Sequence, residues 1–240
     1  MGTSFLDLTN YVIRRINETE LTSANFASTR GMQSLVKDAV KDSILEISQQ
    51  KWDWPFYSVE TTQLLTKGTN EYSFPANFKI ADWTSFQLVK DDALGVASTS
   101  LKLIDQDEWF RYYRDSDYDA GTDGVAMPRF VFKGSANKFG VTKSPDKAYT
   151  VRFKYFKNPT VLSAYGDTTE IPSDFDNVIL AGAMYRMNPF RENNVATQQA
   201  KDDFKDGIRN MYNILVNNST HMYDTRSNFG GYTPSSTWSN

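Results

Sequence analysis

At 240 residues the chain has ample material for a hydrophobic core, in one large domain or two small ones. Its formal charge of −3 supplies no global positive field to draw it onto nucleic acid or an anionic membrane, and its lack of cysteine excludes disulfides, thiolate metal sites and cysteine nucleophiles. No stretch approaches the roughly 18 apolar residues of a membrane span. The N-terminus lacks the basic-then-apolar layout of a signal peptide, so a soluble, unprocessed protein with no membrane partner is expected.

Thr3 or Ser4 is placed to cap a first helix that carries Phe5, Leu8, Val12 and Ile16 at spacings of three and four and ends by about Asn17. After the polar connector ETELTSAN a longer helix is predicted from about Phe26 to Gln50, with Met32, Leu35, Val36, Ala39, Val40, Ile44 and Ile47 on its apolar face. From WDWPFYS onward the texture changes, as proline, aromatic and β-branched residues replace helix formers. Strands are predicted over 56–65, 71–74, 82–89, 100–104, 129–132, 138–142 and 149–157, with KGSA and KSPDKA as turns between the last three. Several short strands with such punctuation suggest an antiparallel sheet or a small sandwich. In the last strand Tyr149, Val151, Phe153 and Tyr155 alternate with Thr150, Arg152, Lys154 and Phe156, giving one buried face and one mostly basic, solvated face. FPANF (74–78) and IPSDF (171–175) share one pattern and read as stereotyped exits, with proline ending pairing and Asn or Asp capping the turn that follows.

The stretch from Ile171 to Val216 reads as a helical hairpin. Ser173 or Asp174 is expected to cap its first arm, which is apolar nearly all the way round and contains the small run Ala181-Gly182-Ala183. Asn188-Pro189 stops that arm, and Ala196, Ala200, Phe204, Ile208, Tyr212 and Leu215 stripe the second. The first arm has more apolar surface than one neighbouring layer covers. Two readings stay open: core of a helical domain, or packing against a neighbouring subunit, with Val178, Ile179, Ala183 and Met187 partly at the boundary. Residues 218–240 are rich in Gly, Ser, Thr and Asn, yet hold Tyr223, Phe229, Tyr232 and Trp238. They are expected to form an extended arm that docks these aromatics on another chain.

Little points to catalysis or to a cofactor. DSDYDAGTDG from Asp115 superficially resembles a calcium loop, but Ala120 stands at the glycine position and Ala126 at that of the closing glutamate. The single histidine, His221, lies in the polar tail, and no nucleophile or phosphate-loop motif appears. No catalytic, cofactor or metal residues are expected, and the segment between Trp109 and Met127-Pro128 reads as a polar, mobile loop.

The order helix, longer helix, WDWPFYS, TKGTNEYSFPANF, then KSPDKAYTVRFKYFKNPTVLSA leading into TTEIPSDFDNVILAGAMYRM resembles that of tailed-phage head-to-tail adaptor proteins of the podovirus type. The resemblance covers Phe5 to about Val216, while Asp91 to Met127 matches nothing in it. It implies an α+β fold: a discontinuous helical ring-forming core (1–54 and 165–217), an inserted β-region (55–164) with an antiparallel sheet or small sandwich, and the extended C-terminal arm. It further implies a virion protein of the tail or neck, assembled in the host cytoplasm as a ring, typically of twelve copies. Its partners would be the portal protein, the tail nozzle or tube protein and, as an additional candidate, tail fibres, with DNA passing through the channel without specific binding. The alternative is an oligomeric β-sandwich module of a phage tail that binds carbohydrate or a receptor.

Overall fold

The computed structural model describes residues 2–51, 53–93, 95–118, 124–191 and 194–217. In chain order the elements are α1 (Phe5–Arg15), α2 (Met32–Gln50), β1 (Ser58–Leu64), β2 (Glu71–Ser73), β3 (Phe78–Leu88), β4 (Thr99–Ser100), β5 (Lys102–Ile104), α3 (Gln106–Tyr112), α4 (Arg114–Tyr118), β6 (Phe130–Lys133), β7 (Lys138–Thr142), β8 (Thr150–Lys157), α5 (Asp176–Met187) and α6 (Asn194–Tyr212). The fold is α+β, and the chain divides into two units, Met1–Phe56 with Pro159–Asn240, and Tyr57–Asn158.

In the helical unit, Ser4 caps α1 by accepting the Asp7 N–H at 3.2 Å. The next free donors of that first turn are met by the far end of the sequence: Phe5 N–H donates to Asp167 O (2.7 Å) and Leu6 N–H to Tyr165 O (3.1 Å). The helix closes on Asn17, which takes φ 54°, while Glu18 N–H reaches back to Ile13 O at 3.1 Å. The side chain of Asn10 then pairs with both backbone groups of Leu21 and so fixes the connector. Helix α2 begins six residues later than expected, because Gly31 takes φ 59° and separates it from a single 3₁₀ turn at Phe26–Ser28.

Helix α5 is the centre of this unit and packs on α1, α2 and α6. The caps expected there do not form. A 3₁₀ turn over Ser173–Phe175 leads in, and neither Ser173 nor Asp174 accepts a capping bond. The Asp176 carboxylate instead accepts from the Thr3 hydroxyl. Burial, together with the charges of Asp174 and Asp7, holds its pKa above the ordinary value against the lowering effect of that bond. Past α2, Trp54 is fully buried, donates its Nε1–H to Ile47 O at 2.8 Å and meets Tyr212 edge-on at 5.8 Å.

In the β-unit, one antiparallel sheet has the order β1-β8-β3-β4 and a second the order β2-β7-β6-β5, with β5 parallel to β6. The sheets share one core, in which the Phe86 and Phe153 rings stack at 4.6 Å and both meet Phe139 at 5.3 Å. The expected strand over 100–104 is two strands, one in each sheet. Buried Leu101 marks the corner, its N–H donating to Phe86 O in one sheet while Lys102 N–H donates to Arg129 O beside the other. FPANF and IPSDF do form the same turn, closed from Pro75 O to Phe78 N–H (3.0 Å) and from Pro172 O to Phe175 N–H (2.9 Å). The proline carbonyl, rather than an Asn or Asp side chain, makes the closing bond.

The stretch read as a loop from Trp109 to Met127 contains the end of α3 and all of α4. Asp105 caps α3, and Asp107 and Glu108 lie in its first turn. These helices supply the crossover that the parallel β5–β6 pair requires.

Candidate assembly interfaces

The small run in α5 does let another backbone approach, and the neighbour is in the same chain. A Cβ on Gly182 would lie 2.7 Å from the Phe204 ring of α6 and 2.9 Å from Ser43 Oγ of α2, and one on Gly207 would lie 2.9 Å from Val178. The four side chains expected partly at a subunit boundary are buried within the protomer, with Val178 2%, Ile179 0%, Ala183 0% and Met187 1% exposed. Much of the apolar surface that motivated the boundary is covered by α1, α2 and α6, while Phe175 and Met184 are half-buried. Exposed apolar side chains of the unit lie elsewhere: Leu45 on α2 is 46% exposed, and Phe190 after α5 is 60% exposed. The arm residues Tyr223, Phe229, Tyr232 and Trp238 lie outside the described residues.

Arg186 of α5 is held against α2. Arg186 pairs with Glu46 of α2 and also donates to Gly182 O (3.0 Å) and Asp42 O (3.3 Å). Of the acidic residues in the calcium-like stretch, Asp115 is exposed and Asp117 is held by partners. Asp117 is buried on α4, accepting the Trp109 Nε1–H at 2.7 Å and the Ser144 N–H at 3.2 Å, while Asp119 lies outside the described residues. Burial pushes the Asp117 pKa up, against these bonds. Asp117 therefore clamps α4 to the β7–β8 turn and faces no open cation site. Among the described residues no group of three or more His, Asp or Glu could hold a metal ion, and no helix is long and apolar enough to cross a membrane.

The outer face of the β1-β8-β3-β4 sheet is less basic than its sequence reads. Arg152 pairs across the strands with Glu60 at 3.5 Å, which neutralises one of its two central cations. The burial alternation expected for β8 is present, with Val151, Phe153 and Tyr155 buried.

Reading the sequence missed the caps of α3 and the roles of Asp117 and Arg186. The α3 signal was present as an Asp cap with acidic residues in the first turn. The other two depend on partners 27 and 140 residues away, at Ser144 and Glu46, which no local pattern reveals.

No curated protein matches the chain. The SU10 adaptor protein profile matches it over residues 3–228, from just before α1 to beyond the last described residue. The chain belongs to the SU10 adaptor protein family.

Proposed function

We propose that this phage adaptor protein is a head-to-tail adaptor of the podovirus type. In this reading it is a structural virion component that forms a ring, of twelve copies, between the portal and the tail nozzle or tube. The observation that carries the reading is the family match over residues 3–228, which spans both units of the chain. The helical unit is the ring-forming core. Its boundary with the next copy uses side chains left exposed around α5, such as Leu45 and Phe190, and residues 218–240 dock on a neighbouring chain through Tyr223, Phe229, Tyr232 and Trp238. A net negative charge suits a channel wall that DNA passes without adhering. The adaptor family supports a structural role over a catalytic one.

Particle mass with and without the portal protein tests this reading. A closed ring seated on the portal is the expected result. A monomer or trimer with affinity for glycans would overturn it in favour of a carbohydrate-binding module.

A further inference from the structure

The β-unit has four sheet edges, and three of them are blunted. Strand β4 has only two residues, and β3 beside it is bulged between Asp82 and Gln87. Within that bulge Ser85 Oγ takes the Lys154 N–H at 2.8 Å and Thr84 N–H turns back to Asp82 Oδ1 at 3.1 Å. In the other sheet, β2 and β5 are three residues each, and β5 carries Lys102. Short strands, bulges and lysine are the usual means by which proteins prevent edge pairing.

Strand β1 has none of these. It pairs with β8 over seven consecutive residues without a bulge, and it contains no proline, glycine or lysine. Leu65 N–H donates to Tyr149 O at 2.7 Å, which sets the phase of the ladder. Residues 59, 61 and 63 therefore bond to β8, and the backbone groups of Glu60, Thr62 and Leu64 point away from it. Among the described residues only the Leu64 carbonyl has a partner there, the Gln63 side chain at 3.0 Å. The Leu64 side chain is 58% exposed.

We propose that this outer edge of β1 accepts residues 219–228 of a second copy as an added antiparallel or parallel strand. The proposal rests on the adaptor reading, since a ring requires contacts that pass from copy to copy. Apart from residues 218–240, the stretches outside the described residues are at most five long, so only this one matches the seven residues of β1. The run STHMYDTRSN has no glycine or proline, which return at Gly230, Gly231 and Pro234. The family match also continues to residue 228, eleven residues (228 − 217) beyond Asn217.

The chain has no cysteine, so single cysteines report contacts cleanly. Full-length Thr62→Cys would be mixed with full-length chains carrying one cysteine at each position from 220 to 225, then assembled and oxidised. The expected result is a disulfide between copies whose yield alternates with period two along the donor. Amide exchange at Glu60, Thr62 and Leu64 should slow at least about tenfold on assembly, and the slowing should vanish in a chain ending at Asn217. Cross-links found only when both cysteines share one chain would overturn the proposal. So would protection that persists in the shortened chain, which would assign the edge to another occupant. Rings on the portal without any β1 cross-link would overturn this inference and leave the adaptor reading intact, whereas absence of rings would overturn both.

Discussion

Gly182 of α5 and Phe204 of α6 occupy one another's space: the ring lies 2.7 Å from where a Cβ on the glycine would begin. The reverse holds one turn along, where Val178 of α5 fills the place of a side chain on Gly207 of α6. The two helices therefore approach closely because each presents a glycine to the other's side chain.

Gly182→Ala tests that relationship. Alanine in a helix interior is favoured over glycine by about 1 kcal/mol, while overpacking a filled core costs about 1–3 kcal/mol. Phe204 is 2% exposed and cannot swing away, so the clash outweighs the propensity. Urea unfolding should show a net loss of up to about 2 kcal/mol, and adding Phe204→Leu should recover part of it. An unchanged midpoint for the single variant would refute the close approach.

Asp117 gives a pH dependence with a defined sign. Its folded pKa is raised, by burial first, so its contribution to stability is complete below the ordinary carboxylate value and is lost as pH rises through the folded value. Asp117→Asn keeps an acceptor for Trp109 without the charge. The variant should gain on the wild type as pH rises from the acid side toward neutrality, and stability curves at several pH values should show that divergence. Asp117→Ala, which leaves the buried Trp109 Nε1–H without its acceptor, should cost about 1–3 kcal/mol. A stability difference between the Asp117→Asn variant and wild type that is constant with pH would sink the argument.

Trp54 ties the chain end of α2 to α6. Trp54→Ala removes a fully buried ring and should cost about 3–5 kcal/mol in unfolding free energy. Trp54→Phe loses the bond to Ile47 O and should cost less, about 1–2 kcal/mol. A Trp54→Phe variant as stable as wild type would show that the indole N–H contributes nothing.

The sequence was most legible where one residue period governs one element. Strand β7 falls over the expected 138–142, and β8 differs by one residue, because alternation fixes which side chains face the core. Both chain-end helices of the helical unit were legible from their apolar stripes. Legibility failed where a backbone angle or a distant partner decides. Gly31 cuts α2 short through its positive φ, which a glycine permits but does not announce. The split at Leu101 depends on which sheet each of two very short strands joins, and the composition of so short a strand does not carry that information. For the candidate interface, the all-round apolar character of α5 correctly marked a helix buried on several sides. It did not say whose side chains cover it, and the covering elements α1 and α2 lie more than a hundred residues away in the sequence.

Burial of α5 within the protomer changes what Ala183 should do. If α5 were half-covered within the protomer, Ala183→Glu would leave the subunit folded and block only its assembly. Ala183 is instead fully buried among helices of its own chain. A carboxylate there has no partner, and burying an unpaired polar group or charge costs several kcal/mol, a large part of the ~5–15 kcal/mol that holds a domain together. Ala183→Glu should therefore reduce helical circular dichroism and lower the melting temperature of the isolated subunit, before any question of assembly arises. Ala183→Ser is the control, since a serine hydroxyl in a helix bonds back to the carbonyl of the preceding turn, as Ser43 does to Ala39 O at 2.7 Å. That variant should stay folded. A folded, helical Ala183→Glu subunit that melts like wild type and fails only to form rings would place the subunit boundary on α5 after all.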